Sequence, residues 1–561
     1  MKSNRRQFMR TVGTSSASVA IGAAAMAGVP ENAMAKSQDG PILLVGDNIA
    51  LTETEYGKVR GYVLRGIQYY LGVPYGADTS GPNRFMPPQK PKAWTDVYPA
   101  LWWGNSAPQN MENRYANKYF SFRDHWNYDD VSEDCLRINV FTPGGSDGKK
   151  RPVLFWIHGG GFTAGNGIEQ DGYNGENFAR LGDVVFCSIN HRLGPFGYCN
   201  LAGVGGEKFA ASGNVGMLDI VAALEWVRSN IANFGGDPGN VTIMGQSGGG
   251  AKVCILTAMP SAKGLFHRAV VLSGASRKAA DKDFSEKLGA AVLKEAGLTP
   301  AELDKLQSMP WKDFYAIATK AQQNLAREAG PGGGMMRGFS PVVDGQILPQ
   351  NPYDPVAAPT AANVPMIISS VENEQSVSWA DPALESMTMD QVVERLKTRA
   401  GFGGGFGDKA QDVANAYAKA FPGRKPVEIW SLASSNRQGV VALADVKSRQ
   451  PAPVYVDWFT WQPPLFDSRI RAFHCVDISF WFYNTDLMLT HTGGGARPRA
   501  VSAKMAGALL RFMQTGDPNG AGLPKWPKYS EAKGETMVFD DASVAKNDPD
   551  REARKALPAL T

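Results

Sequence analysis

Five residues of the sequence, Gly245-Gln246-Ser247-Gly248-Gly249, form a G-x-S-x-G. Small residues on both sides let the chain turn sharply and lift the serine hydroxyl clear of the backbone. The β-rich run Val241-Thr242-Ile243-Met244 precedes it, and a helix is expected after Ser247. A serine hydroxyl is a poor nucleophile until a base takes its proton. Around such a strand–turn–helix the chain order is Ser, acid, His. Three histidines follow Ser247. His267, in Leu265-Phe266-His267-Arg268-Ala269, reads as a helix-end histidine beside a cation. His474, in Ala472-Phe473-His474-Cys475-Val476-Asp477, follows a β-rich region and is the preferred base; His491, in Thr490-His491-Thr492-Gly493, is the reserve.

The acid should lie just past a strand, between Ser247 and His474. Val364 to Ser370 is such a strand, and Val371-Glu372-Asn373-Glu374-Gln375 follows it. Either glutamate could hold the imidazole and stabilise its charged form. Asp344, in Val343-Asp344-Gly345, is a third candidate, though Asp-Gly more often makes a turn. Acyl transfer also needs donors for a developing oxyanion. His158-Gly159-Gly160-Gly161 follows the strand-like run Val153 to Ile157. Glycines there let backbone N–H groups approach a ligand, so Gly160 and Gly161, with Gly248, are the expected oxyanion donors.

These residues need a frame. Buried-strand runs are expected at 153–157, 184–189, 241–244, 269–272, 365–370 and 453–457. Residues 217–232 carry Leu218, Val221, Leu224, Val227 and Ile231 at helical spacing, and Gly235-Gly236-Asp237-Pro238 should break the chain after them. Strands alternating with helices imply an α/β fold, with a large, mainly parallel sheet and helices on both faces. Length would allow several domains at 561 residues, but no internal repeat or linker divides the chain. Glycine-rich segments at 332–334, 401–407 and 493–495 are expected to be surface loops.

Composition excludes other classes. Hydrophobic residues are 43% and charged residues 20%, against a disordered, collagen-like or coiled-coil chain. Net charge is +4, and no basic run follows residue 35, so a nucleic-acid partner is not expected. Five cysteines without a C-x-x-C, and six histidines without H-E-x-x-H, point to neither a disulfide scaffold, a metal nor any other cofactor. Residues 1–35 hold Arg5-Arg6, a weakly apolar stretch from Val12 to Val29, and Ala33-Met34-Ala35. That order is expected of a twin-arginine export signal cleaved after Ala35. The mature domain would be 36–561, exported to the periplasm or beyond, with no membrane insertion.

With these motifs in view, the chain resembles the type-B carboxylesterase family, the α/β-hydrolases that include cholinesterases and bacterial para-nitrobenzyl esterases. The resemblance runs over nearly the whole mature chain. It rests on Tyr70-Leu71-Gly72-Val73-Pro74-Tyr75, Ser132-Glu133-Asp134-Cys135-Leu136-Arg137, Trp156-Ile157-His158-Gly159-Gly160-Gly161-Phe162 and Asn190-His191-Arg192-Leu193-Gly194. Asn233-Phe234-Gly235-Gly236-Asp237-Pro238, Thr515-Gly516-Asp517-Pro518-Asn519 and Trp526-Pro527 extend it. It implies an α/β-hydrolase fold and a carboxylesterase activity. It places the triad acid at Glu374, with Glu372 in reserve, and the histidine at His474. It also implies that Ser273, in Leu272-Ser273-Gly274, supports the triad by a hydrogen bond.

Four departures from the family pattern stand out. The elbow is usually Gly-Glu-Ser-Ala-Gly, and here Gln246 and Gly248 stand in its variable places. Ala107-Pro108-Gln109 replaces a family Cys-Pro-Gln, so Cys135 has lost its expected disulfide partner. Cys475 follows the histidine where glycine is common. Trp126 lies near the place of a choline-binding tryptophan, but offset from it. The expected reaction is hydrolysis of small-molecule esters through an acyl-enzyme, with apolar acyl or aryl groups favoured by an aromatic and Met-rich pocket. Trp102, Trp103, Trp379, Phe480, Trp481 and Phe482 are candidates to line it. The alternatives are a silent cholinesterase-like binding protein, or an amidase or lactonase with the same triad.

Overall fold

The structure is a computed structural model that describes residues 41–111, 130–145, 147–329, 338–398, 401 and 405–560. The segment 1–35, Trp126, the glycines 332–334 and residues 402–404 lie outside the described residues. Among those described, the strands in chain order are β1 (Leu43–Leu44), β2 (Leu51–Thr54), β3 (Gly57–Arg60), β4 (Tyr62–Leu64), β5 (Ile67–Pro74), β6 (Tyr98–Pro99), β7 (Arg137–Thr142), β8 (Arg151–Ile157), β9 (Val185–Ile189), β10 (Gly236–Gln246), β11 (Arg268–Leu272), β12 (Met366–Val371), β13 (Val454–Phe459), β14 (Glu535–Phe539) and β15 (Val544–Asn547). Twelve of them form one sheet in the order β1-β4-β5-β7-β9-β8-β10-β11-β12-β13-β14-β15, and β2, β3 and β6 form a small second sheet. From β9 to β14 every neighbouring pair is parallel. The edges β1-β4-β5-β7 and β15 are antiparallel.

Alternation along each strand fixes how the sheet is covered, because successive side chains point to opposite faces. Val153, Phe155 and Ile157 of β8 enter one hydrophobic core with Ile243 of β10 and Val271 of β11. Leu154 and Trp156 enter the other with Met244, Val270 and Leu272. The first core is roofed by the helix Val215–Asn230 and the helix Gly248–Leu256, the second by the helices Glu176–Gly182 and Ala496–Thr515. Both faces are therefore dry, which is why the central strands read as unbroken apolar runs. Residues Leu43–Thr561 form one compact unit.

The break expected at Gly235–Pro238 is a turn only at Gly235, whose φ is 79°. Gly236 already pairs with Arg151, and the register then shifts before Val241. The glycines 493–495 all have positive φ and link the helix Leu489–Thr492 to the helix Ala496–Thr515. Two of the quoted motifs prove to be ion-pair anchors. Arg192 holds Asp219 through Nε and Nη2 at 2.8 and 2.6 Å, both side chains buried. Arg84 grips Glu133 at 2.7 and 2.6 Å.

Candidate active site

The parallel strands all deliver their loops to one end of the sheet, the end where α/β folds place their chemistry. β10 stops at Gln246, and Ser247 follows with φ 55° and ψ −123° before the helix Gly248–Leu256 begins. A residue with a Cβ adopts that conformation only under constraint. The constraint is visible: Ser247 N–H donates to Leu272 O at 2.8 Å, tying the turn to the end of β11. The helix also passes so close that a Cβ on Gly245 would lie 2.4 Å from the Gly249 carbonyl. A Cβ on Gly248 would lie 2.1 Å from Gly161 O, so the glycine at this departure from the family pattern lets two loops touch.

Glu374 stands three residues beyond β12, and its neighbour Asn373 pins down the histidine loop. Asn373 N–H donates to Ala472 O at 2.9 Å, and Asn373 forms a parallel bridge with Phe473. Arg471 anchors the same loop through Ser378 Oγ at 2.5 Å and Glu385 Oε1 at 2.8 Å. Three residues on, His474 meets Glu374: its Nδ1 donates to Oε2. Of the two glutamates the structure pairs only this one with the imidazole. Glu372 accepts from Arg424 at 2.8 Å and Gln462 at 3.1 Å. Asp344 is spent on a turn, accepting from the N–H groups of Gln346 at 2.9 Å and Leu348 at 3.0 Å. His267 lies at the entry to β11 rather than at a helix end, where its Nδ1 accepts from Val241 N–H at 3.1 Å. His491 is buried edge-on to Phe473.

Electrostatics at His474 is a contest. Burial disfavours the imidazolium, while Cys475 and the Glu374 carboxylate favour it and win, holding the pKa well above the ordinary 6.5. Asp477, one turn on, is wholly buried; burial first and the nearby Glu374 charge second push its carboxyl up to about 7. Gln246, unremarked in the sequence beyond its departure from the pattern, reaches the same ring. Its Nε2 lies 3.3 Å from His474 Nε2, and its Oε1 accepts from the Cys475 thiol at 3.2 Å. The Ser247 hydroxyl makes no hydrogen bond among the described residues. The elbow and the histidine loop thus meet through Gln246, the residue before the serine.

The loop after β8 completes the site. Gly160 and Gly161 have φ of 79° and 63°, and their N–H groups donate to no acceptor among the described residues. A Cβ on Gly159 would lie 3.5 Å from that of Ser247. The Ser273 Oγ is buried and makes no hydrogen bond among the described residues, while its N–H donates to Ser369 O at 2.9 Å in a turn with φ 46°. The aromatic candidates are mostly core. Trp379, Phe480, Trp481 and Phe482 are at most 1% exposed. Phe482 packs edge-on to Trp156 and Phe480 to Phe459, both from the sheet beneath. Trp102 is 61% exposed and stacks on Trp103. One polar residue went unnoticed in the sequence, Lys252, in the middle of the elbow helix and 0% exposed. Its signal was a lone charge in the run Gly248-Gly249-Gly250-Ala251-Lys252-Val253-Cys254-Ile255. No disulfide joins any of the five cysteines, Cys135 included.

Comparison with known proteins places the chain. A model of the carboxylesterase family matches residues 49–556. The para-nitrobenzyl esterase of Bacillus subtilis is 33% identical, over 90% of this chain and 98% of its own. The phenmedipham hydrolase of Pseudarthrobacter oxydans is 31% identical, over 89% of this chain and 97% of its own. Among solved structures, an esterase of Clostridium hathewayi that can hydrolyse aliphatic aromatic polyesters superposes with a TM-score of 0.79 at 33% identity, covering 92% of this chain and 99% of its own. A Geobacillus stearothermophilus carboxylesterase gives 0.74 at 34%, covering 91% and 100%. The chain belongs to the carboxylesterase family and is a carboxylic ester hydrolase with the α/β-hydrolase fold.

Proposed function

We propose that the chain hydrolyses esters through an acyl-enzyme on Ser247, with His474 as base, Glu374 as its partner, and the N–H groups of Gly160, Gly161 and Gly248 as the oxyanion hole. The observation that carries this reading is the Glu374–His474 pair, reached by the side chain of Gln246, the residue before a strained serine at the end of β10. With Nδ1 donating to Glu374, Nε2 is the acceptor. A rotation of the Ser247 hydroxyl toward Nε2, in place of the Gln246 amide, makes the attacking pair; such bonds commonly tighten only with substrate. Ser247 Oγ attacks the carbonyl carbon and its proton passes to His474. The tetrahedral oxyanion collapses, the C–O bond to the alcohol breaks, and His474 returns the proton to the leaving oxygen. Water, deprotonated by His474, then attacks the acyl-enzyme and releases acid and serine. No step needs a cofactor.

Apolar acyl or aryl esters are the proposed substrates. The para-nitrobenzyl and aromatic-polyester activities of relatives support this choice. The leader 1–35 is proposed as a twin-arginine signal cleaved after Ala35, delivering the mature chain to the periplasm or beyond. Hydrolysis of para-nitrophenyl acetate, butyrate and octanoate by the mature chain, with Ser247→Ala in parallel, tests the chemistry. Turnover by the parent and its loss in the variant is expected. A folded parent no faster than Ser247→Ala on all three esters overturns the reading. Replacing Arg5 and Arg6 by lysine should leave the protein in the cytoplasm; unchanged export refutes the signal.

A further inference from the structure

Lys252 is a costly residue in an unexpected place. Its neighbours along the helix, Val253, Cys254, Ile255 and Leu256, are all 0% exposed, as Lys252 is. An ammonium taken wholly out of water costs several kcal/mol unless partners repay it. Packing alone would be served by methionine, so the charge calls for a reason.

Its surroundings supply one. The Nζ donates to His158 O at 3.2 Å and lies 5.7 Å from the centre of the Phe162 ring. His158 and Phe162 are the two ends of the segment whose middle is Gly159-Gly160-Gly161. The Lys252 amino group therefore touches both ends of the glycine loop, and does so from the helix that starts at the nucleophile. The facing ionisable groups are Glu169, His158 and His191. Glu169 supplies the opposing charge. It is itself fixed by Tyr173 Oη at 2.8 Å and by Asn166 N–H at 3.3 Å. His158 and His191 stack at 4.8 Å, and burial first, then the Lys252 charge, keep both rings neutral. Burial pushes the Lys252 pKa down to about 7, with Glu169 opposing.

We propose that Lys252 is the positioning residue of the oxyanion loop: by bonding the His158 carbonyl and seating on Phe162, it aims the Gly160 and Gly161 N–H groups at the tetrahedral intermediate. The proposal rests on the assignment of Ser247 and the glycine loop made above. A carbonyl free to swing would rotate the peptide planes that follow it. Donors that miss the oxyanion lose stabilisation that exists only in the transition state.

The test is Lys252→Met, which keeps length and loses charge and donors, assayed on para-nitrophenyl butyrate with active sites counted by the burst. A second probe is an aryl trifluoromethyl ketone, which forms a tetrahedral adduct with a serine nucleophile. The expected result is kcat per active site about tenfold lower or more, KM within twofold, and ketone affinity weakened by the same factor as kcat/KM. Removing a direct oxyanion donor costs about 10²–10³-fold, and Lys252 acts one bond away. A merely structural role would lower thermal stability and active-site count but leave kcat per site and ketone affinity unchanged, and that outcome overturns the proposal. If Lys252→Met does not fold, Phe162→Leu removes the ring seat and should show the same paired losses; parental values there overturn it equally. A burst that survives Ser247→Ala would instead refute the serine assignment, and loss of that burst with unchanged Lys252 and Phe162 variants would refute this inference alone.

Discussion

Replacing Glu374 by Gln tests the acid with the least disturbance of shape. The amide can still accept the His474 Nδ1–H, so geometry survives while the charge is lost. The other carboxylate oxygen, Oε1, is buried without a hydrogen bond among the described residues, so no second contact is sacrificed there. Breaking a buried charge pair costs about 3–5 kcal/mol. The side chains are 1% and 21% exposed for Glu374 and His474, so solvent screens part of the interaction and the lower half of that range applies. In the active form His474 is neutral and the pair becomes fully charged when it takes the serine proton, so the loss falls on the barrier. About 3–4 kcal/mol is two to three decades in kcat. The acid limb should also move. The rate needs neutral imidazole, and the carboxylate helps hold the pKa well above 6.5. Without that charge burial has less opposing it, so the half-maximal rate shifts to lower pH. The assay is kcat for para-nitrophenyl butyrate between pH 5 and 9, with Glu372→Gln as control, expected within a few-fold of the parent. A Glu374→Gln enzyme within tenfold of parental kcat, with its acid limb unmoved, would refute the reasoning.

Further outcomes follow from the same contacts. Cys475→Ala removes a group that raises the His474 pKa, so the acid limb should fall to lower pH while the plateau kcat stays within a few-fold; a pH–rate profile checks it. Gly248→Ala restores the usual family residue, yet its Cβ would lie 2.1 Å from Gly161 O. It should cut kcat by about tenfold through a displaced oxyanion loop, seen as weaker trifluoromethyl ketone inhibition. Asp219→Asn breaks the bidentate pair with Arg192 and should cost about 3–5 kcal/mol in urea denaturation.

Local chemistry was legible because local rules wrote it. A strand, a G-x-S-x-G and a helix occupy consecutive residues, and each was found where the spacing put it. The glycine loop after β8 was equally plain. Choosing between Glu372 and Glu374 was not, because two residues in one loop differ only in what the rest of the chain brings to them. Arg424 comes to one and His474 to the other, across intervals that no pattern along the chain encodes. The aromatic run 480–482, each residue more often core than pocket, could not be sorted along the chain for a related reason. Its side chains look alike in sequence, and only packing against Trp156, Phe459 and Phe539 assigns them to the core. Lys252 was passed over because a single lysine ordinarily marks solvent, and its burial depends on Glu169 and Phe162 arriving from elsewhere.

The alternation of β10 between two cores has a consequence for how errors show themselves. Ile243 faces one core and Met244 the other, so sliding this strand by one residue would exchange the faces of every side chain on it. The same slip would pull the turn at Ser247 away from its tie to Leu272 and turn the hydroxyl off its mark. Misthreading and inactivity are thus one event, and a half-competent, mispaired molecule has no place to exist. On the proposed chemistry, a count of serines that acylate is at the same time a census of correctly threaded chains.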